Sequence, residues 1–495
     1  MSLRRALVRN TAWYGAVTVV GVVSALIMSV ILARGLGPSL MGDLSYVIWA
    51  ERTLIALASL GYMYATVRYT AETFGRGEGH RAWGVVRLFM RRQIITTAIV
   101  VAVVVPIILT VAPAGLQAPI LVVALTLFFI TIEGIYTHAL QGAQRYDITA
   151  RTSMIKMGLQ VPVAGLVVHY GGGLTLLLAT LGVTLLVSLL IQRNRALAVY
   201  QDSQAAPAMP MTAEMRAYIV PLSIVTVLDS IVWDRSGVFF LGFYATSADI
   251  AYYSLAFGLA ARAMIIPGIA VGALLPAFSE LHGRGAPDEF ASLYRTALRY
   301  VALVGAPLAA LVAALAPALI VWLYGDADLP AAPMGGVLAL VSLLSAMREV
   351  ALAALRAVGD RHCALTAIWV AAVVNVALGA LLIPRWTTTG AVIASAAGQL
   401  TATVWVFIGI ARIHRVAFPL ADLAKIAAAG TLALVVTWSL AGDAHDLVRL
   451  GIAATGGVGV FLVAAVALRL IGPREWDLIT TSTRRLAGRV GVSPS

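Results

Sequence analysis

Four arginines of this chain stand inside long apolar runs: Arg52 in YVIWAERTLIALASL, Arg235 in IVWDRSGVFFLGFY, Arg262 in LAFGLAARAMIIPG and Arg348 in VSLLSAMREVALAAL. Five acids share such surroundings: Glu51, Glu133, Asp229, Asp234 and Glu349. A guanidinium stays charged at any working pH, and its planar donors fit two phosphate oxygens at once. Carboxylates in the same setting can take up and release a proton or hold a cation. The set therefore points to binding of an anion, with acids at hand to couple an ion. It does not point to bond-making chemistry. No nucleophile and base pair, phosphate-cradling Gly loop or His/Cys cluster with metal-ligand spacing appears, so an enzyme and a metal cofactor are not expected. Cys363 is the only cysteine, which excludes a disulfide within the chain.

The elements that must position these groups follow from composition. The chain has 495 residues, of which 60% are hydrophobic and 12% charged, with a mean hydropathy of +0.91. Soluble domains carry roughly 25% charged residues. Apolar runs long enough to cross roughly 30 Å of hydrocarbon recur along the whole chain. Breaks at Gly, Pro and charges predict about fourteen spans. Their limits are 11–32, 44–66, 94–111, 119–140, 157–170, 174–191, 218–242, 250–274, 300–323, 334–355, 365–383, 390–410, 423–440 and 450–471. The fold class expected is an all-α polytopic membrane protein. The first run, after MSLRRALVRN, is longer than a signal-peptide core and reads as a retained span.

Charge sorting sets the orientation. With a cytoplasmic N-terminus and an even number of spans, the loop Lys and Arg residues divide roughly 28 against 3 between the two sides. Arg34, Arg385 and Arg449 are the three on the far side, beside acidic loops such as YGDADLP. Both termini are expected in the cytoplasm, and the net charge of +12 reflects topology rather than a nucleic-acid partner.

An internal repeat organises the spans. MGDLSYVIWAERTLIALASLG ahead of AETFGRG resembles IAYYSLAFGLAARAMIIPGIA ahead of SELHGRG in layout, and Arg52 and Arg262 occupy matching places. A second echo pairs Glu133 with Glu349, each leading an Ala-Leu pair. Six spans per copy give parallel halves, and the cleft between such halves is where transporters bind substrate. The expected organisation is an N-terminal lobe at 1–195, a linker at 196–216 and a second lobe at 217–416. Two further spans follow at 417–472, then a basic tail at 473–495.

Counting along the helices puts Arg52, Arg262 and Arg348 roughly 15 to 20 Å below the outer surface. Each would cost about 2.5 to 3.5 kcal/mol facing lipid, so they are expected to line a hydrated cavity. A structural reading stands beside this one. Neighbouring residues on a helix point about 100° apart, so Glu51/Arg52, Asp234/Arg235 and Arg348/Glu349 cannot each send both charges to one place. Some members then serve as ion pairs between helices.

Three stretches carry a family resemblance: ILARGLGPSLMGDLSYV (31–47), ALQGAQRYD (139–147) and DRSGVFFLGFYATSADIAYYSLA followed by LLPAFSEL (234–256, 274–281). They resemble the polysaccharide transporters, the Wzx-type oligosaccharide flippases of the MOP superfamily, although Ala251 stands where that family usually has Gly. The resemblance implies a MOP/MATE-like architecture of two six-helix lobes plus two C-terminal helices in the bacterial inner membrane. It also implies flipping of an undecaprenyl-pyrophosphate-linked oligosaccharide by alternating access, driven by H+ or Na+, alongside polysaccharide polymerase and export machinery. Arg52, Arg235, Arg262 and Arg348 would then bind the pyrophosphate. The alternatives are a lipid II flippase, a multidrug or cation antiporter and, less favoured, a membrane glycan polymerase or glycosyltransferase.

Overall fold

A hydrocarbon solvent leaves a spanning chain one simple way to satisfy its backbone, which is to pair every N–H and C=O within a helix. The computed structural model, which describes residues 3–233, 236–272, 274–413, 418–442 and 446–470, follows that rule and holds no strand among them. Its helices are α1 (Leu3–Ser59), α2 (Tyr62–Gly75), α3 (Ala82–Val111), α4 (Gln117–Gly142), α5 (Tyr146–His169), α6 (Leu174–Val199), α7 (Ala213–Trp233) and α8 (Ser236–Tyr244). They continue with α9 (Ser247–Ala263), α10 (Ile265–Gly272), α11 (Leu274–Gly283), α12 (Pro287–Leu323), α13 (Ala332–Ala357), α14 (Arg361–Ile413), α15 (Leu420–Ala441) and α16 (Leu447–Ala467). Each of the fourteen predicted spans lies mostly on helix where the chain is described, and helix lapses inside them at Leu60–Gly61 and Met264 and at the last residues of the fifth and fourteenth.

Nine helical stretches among the described residues are long and apolar enough to cross a membrane. Two of them, Gly15–Ser59 with 45 residues and His362–Arg412 with 51, are more than twice as long as the roughly 20 residues of one crossing. Each is bent at a left-handed residue: Gly37 at φ 72° in α1, followed by Pro38, and Thr387 at φ 42° in α14. Glycine adopts that conformation freely, whereas Thr387 does so against its Cβ. Each long helix thus supplies two consecutive spans.

Tertiary contacts divide the chain into two compact units, Met1–Ser254 with Ala371–Gly398, and Leu255–Val370 with Gln399–Ser495. In the first, α1 packs against α5 and α4, and α4 against α6. The predicted linker belongs to this unit. Arg87 of α3 donates to the carbonyls of Gln204 and Ala206 at 2.7 and 3.0 Å, and the Met209 N–H donates to Gly84 O at 3.2 Å. The segment entering α9 lies against α1: the Ser247 hydroxyl donates to Asp43 at 2.6 Å, and a Cβ on Gly42 would fall 1.5 Å from the Ser247 carbonyl oxygen. Thr246 and Asp249 cap the start of α9 by exchanging bonds, Thr246 N–H to Asp249 at 3.0 Å and Asp249 N–H to the Thr246 hydroxyl at 3.2 Å.

Buried charge ties α4, α5 and α6 together. Glu133 is 5% exposed, and both its oxygens accept from Lys156 Nζ, at 3.1 and 3.2 Å. Ser188 and Gln192 of α6 donate to the same carboxylate, and Thr137 donates to the Gln192 side chain at 2.7 Å. Both oxygens of the acid are thereby engaged within one unit, Oε1 by three donors and Oε2 by Lys156.

In the second unit, α12 packs on α13 and α15, and α15 on α16. Pro287 opens α12 with Asp288 and Glu289 in its first turn, where a helix favours a missing N–H and negative charge. Small side chains bring the backbones close, as membrane helices require without a hydrophobic drive between them. Gly457 of α16 faces Thr437 of α15, where a Cβ would stand 1.8 Å from the hydroxyl oxygen.

Two outcomes follow from this packing. Lys156→Met should lower stability by about 3 to 5 kcal/mol by stranding a buried carboxylate, while Glu133→Gln combined with Lys156→Met should recover most of it. Thermal unfolding in detergent checks the pair, and equal losses in the single and double variants would refute the assignment. Gly42→Ala should cost about 1 to 3 kcal/mol by overpacking against Ser247, read in the same assay.

Candidate functional site

Arg52 lies on the part of α1 that follows the Gly37 bend. Val47, Ala50 and Leu54 are buried there, Glu51 is half-buried, and Arg52 is exposed. About two turns later the helix stops at Ser59, and the chain resumes as α2 only after Leu60 (φ 39°) and Gly61 (φ 70°). A break inside a span frees carbonyls that lipid cannot satisfy. Three side chains take them up. Gln93 Nε2 and the Thr96 hydroxyl donate to Ala58 O at 2.9 and 2.7 Å, and the Ser223 hydroxyl donates to Leu60 O at 2.7 Å. Interrupted helices whose free backbone is held in this way are the form that ion and substrate sites take in transporters.

The matching span of the second copy is interrupted too. Arg262 is half-buried near the end of α9, which stops at Ala263 before α10 begins at Ile265. Its Nη1 stands 3.4 Å from the hydroxyl of Tyr324, the residue that closes α12. Arg348 of α13 is 5% exposed, and its Nη2 lies 3.5 Å from the carboxylate of the adjacent, partly exposed Glu349. One turn earlier the Ser345 hydroxyl donates to the side chain of Gln399 on α14.

The candidates thus fall into separate local settings. Arg52 and Glu51 sit on the broken second span of unit 1, Arg262 sits beside Tyr324 in unit 2, and Arg348 sits beside Glu349 in unit 2. Glu133, expected among the cavity acids, is held by Lys156, Ser188 and Gln192. Asp229 falls on α7, but its side chain lies outside the described part. Asp234 and Arg235 lie outside the described residues altogether.

Sequence reasoning missed Lys156, which it placed in a loop ahead of the span at 157–170. The helix begins at Tyr146 instead, so Lys156 comes ten residues into α5. Polar residues such as Thr149, Arg151, Thr152 and Ser153 hide that first half from a hydropathy reading. A usable signal was present: a lysine at the edge of an apolar run needs an acid at similar depth, and Glu133 was already identified. Among the described residues no group of three or more His, Cys, Asp or Glu could hold a metal ion.

Comparison with known proteins matches this geometry to a fold and a family. A solved structure described as "Lipid II flippase MurJ, inward closed conformation" is similar over 94% of this chain and 99% of its own, with a TM-score of 0.71 at 14% identity. An inward-facing multidrug resistance MATE family transporter of the MOP superfamily is similar over 82% of this chain and 94% of its own, with a TM-score of 0.68 at 16% identity. An outward-facing one gives a TM-score of 0.59 at 16% identity, over 83% and 96%. A search of curated protein sequences finds no match. The family model described as polysaccharide biosynthesis protein matches residues 7–282, more than half of the chain, and takes in the broken second span, Arg52 and Arg262. The chain is a multi-pass membrane protein that shares its fold with these transporters, and it belongs to the polysaccharide biosynthesis protein family.

Proposed function

We propose that this protein is a flippase that carries an undecaprenyl-pyrophosphate-linked oligosaccharide across the bacterial inner membrane by alternating access, with both termini in the cytoplasm. One observation carries the reading: Arg52 is exposed on an apolar helix about two turns before a break whose carbonyls are capped by protein side chains. An exposed guanidinium at that depth is stable only against water or an anion, because lipid would penalise it by about 2.5 to 3.5 kcal/mol. Arg262 occupies the equivalent place in the second copy, and Arg348 and Arg235 add to the cationic set. A pyrophosphate offers the paired oxygens that guanidinium groups bind two at a time.

Family membership supports a glycan as cargo, and the fold shared with a lipid II flippase supports a lipid-linked one. The function is then transport without covalent catalysis. The headgroup is held while the polyprenyl tail stays in the bilayer, and the protein changes between inward and outward states. Coupling to H+ or Na+ is proposed for Glu51, Asp229, Asp234 and Glu349, since Glu133 is committed to Lys156.

The fold shared with multidrug transporters favours a second reading, export of cationic drugs. The arginines weigh against it, because a cavity lined by guanidinium groups repels cations.

Removing a charge-assisted bond to phosphate costs about 1.5 to 3 kcal/mol, so Arg52→Ala and Arg262→Ala should each cut glycan export about tenfold or more. Arg52→Lys should keep part of it, since charge remains while the bidentate geometry is lost. Surface glycan measured at matched membrane abundance reads the effect. Full export by the Arg52→Ala/Arg262→Ala double variant would overturn the proposal, and drug resistance conferred by the unaltered protein would favour the antiporter.

A further inference from the structure

One face of α3 has no part in the chemistry above. Stepping by four along the helix from residue 87 gives Arg87, Arg91, Ile95, Ile99, Val103 and Ile107, a continuous ridge that winds round the helix by about 40° per step. All six are exposed, with Ile99 at 56% and Ile107 at 59%. Two cations are thus followed by a wholly apolar stripe. The arginines lie at the basic end of the span, and the stripe below them runs the full depth of a leaflet, which is about 15 Å or ten residues.

At the basic end the ridge opens into a groove of about 440 Å³, lined by Trp83, Val86, Arg87, Met90, Arg91 and Ile94, with Ile95 and Tyr136 completing its wall. Trp83 and the Tyr136 ring of α4 stack at 6.4 Å between centroids and form an aromatic floor. The two arginines differ in their commitments. Arg87 is fixed by its bonds to the Gln204 and Ala206 carbonyls, which also anchor the predicted linker. Arg91 forms no hydrogen bond or ion pair with the described residues, and its exposed side chain lines the groove.

We infer that this groove binds an anionic glycerophospholipid of the basic-side leaflet. Its phosphate would meet Arg91 and Arg87, its glycerol would rest on Trp83 and Tyr136, and its acyl chains would lie along Ile95, Ile99 and Val103. Charge complementarity selects the occupant. Near-surface cations favour anionic headgroups, amphipathic aromatic rings settle at headgroup level, and exposed aliphatic side chains on a span meet acyl chains. A soluble phosphate would leave the apolar stripe unused, and a zwitterionic lipid would gain little from the free cation. Because Arg87 also clasps residues 204–206, bound lipid stiffens the place where the chain between the two sequence repeats is attached. The site is independent of the cargo proposed above, since it uses neither Arg52 nor Arg262.

The test uses the purified full chain in nanodiscs and lipids whose acyl chains carry bromine, which quenches nearby tryptophan. Quenching that disappears in Trp83→Phe reports this groove. Brominated phosphatidylglycerol should quench that component about fivefold more effectively than brominated phosphatidylcholine at equal mole fraction, the preference expected of one near-surface cation. Arg91→Gln should bring the ratio close to one, Arg91→Lys should preserve it, and raising salt should lower it. Arg91 holds none of the described residues, so its variants are expected to retain the fold, and an unchanged elution profile documents that. Equal quenching by the two lipids in the unaltered protein would overturn the inference, as would a preference that persists in Arg91→Gln. Displacement of the brominated phosphatidylglycerol by an equimolar polyprenyl phosphate would overturn it as well and reassign the groove to an isoprenoid.

Discussion

Hydrocarbon cannot solvate a charge or an unpaired peptide group, and each polar feature of this protein answers that constraint. Most of the backbone answers it by helix formation. Where the helix of the second span breaks at Leu60 and Gly61, the freed carbonyls are taken by Gln93, Thr96 and Ser223. Glu133 answers it with a lysine and two neutral donors. Arg52 answers it differently, by remaining exposed beside the break. A charge in hydrocarbon must be neutralised or wetted, and the two settings stand side by side in a single unit.

Glu133 and Arg52 belong to the same unit and have contrasting surroundings. A carboxylate on one helix that accepts from groups of two others holds the three in register and is a poor partner for a passing ligand. Arg52 is instead exposed, on the part of α1 that follows the Gly37 bend. Arg262 and Arg348 have neighbours within unit 2, Tyr324 at 3.4 Å and Glu349 at 3.5 Å.

Much of the fold was legible because apolar length is a direct consequence of bilayer thickness. The runs that predict the spans are those that fold as helices, and the stretches at 31–47 and 139–147 that resemble oligosaccharide flippases lie inside the part of the chain that matches the family. The bends were less legible. Gly37 with Pro38 marks one, but Thr387 carries no sequence sign of a left-handed backbone. The break at Leu60 and Gly61 depends on capping groups that lie 35 to 163 residues away in sequence, beyond any local pattern. The partner of Glu133 was hidden for the related reason that Lys156 sits in a helical turn too polar to register as membrane-spanning. Residue type announced where charge must be handled, and only tertiary structure revealed how.

The most direct test asks whether position 52 meets water. Cys363, the single cysteine, is buried, so a Cys363→Ala background leaves an introduced thiol as the only target. Arg52→Cys and, as a lipid-facing control, Ile99→Cys would be exposed in intact cells and in inverted vesicles to a membrane-impermeant maleimide. The account predicts labelling at position 52 from at least one side while position 99 stays unreacted. A thiol at position 52 as inert as the control from both sides would contradict it.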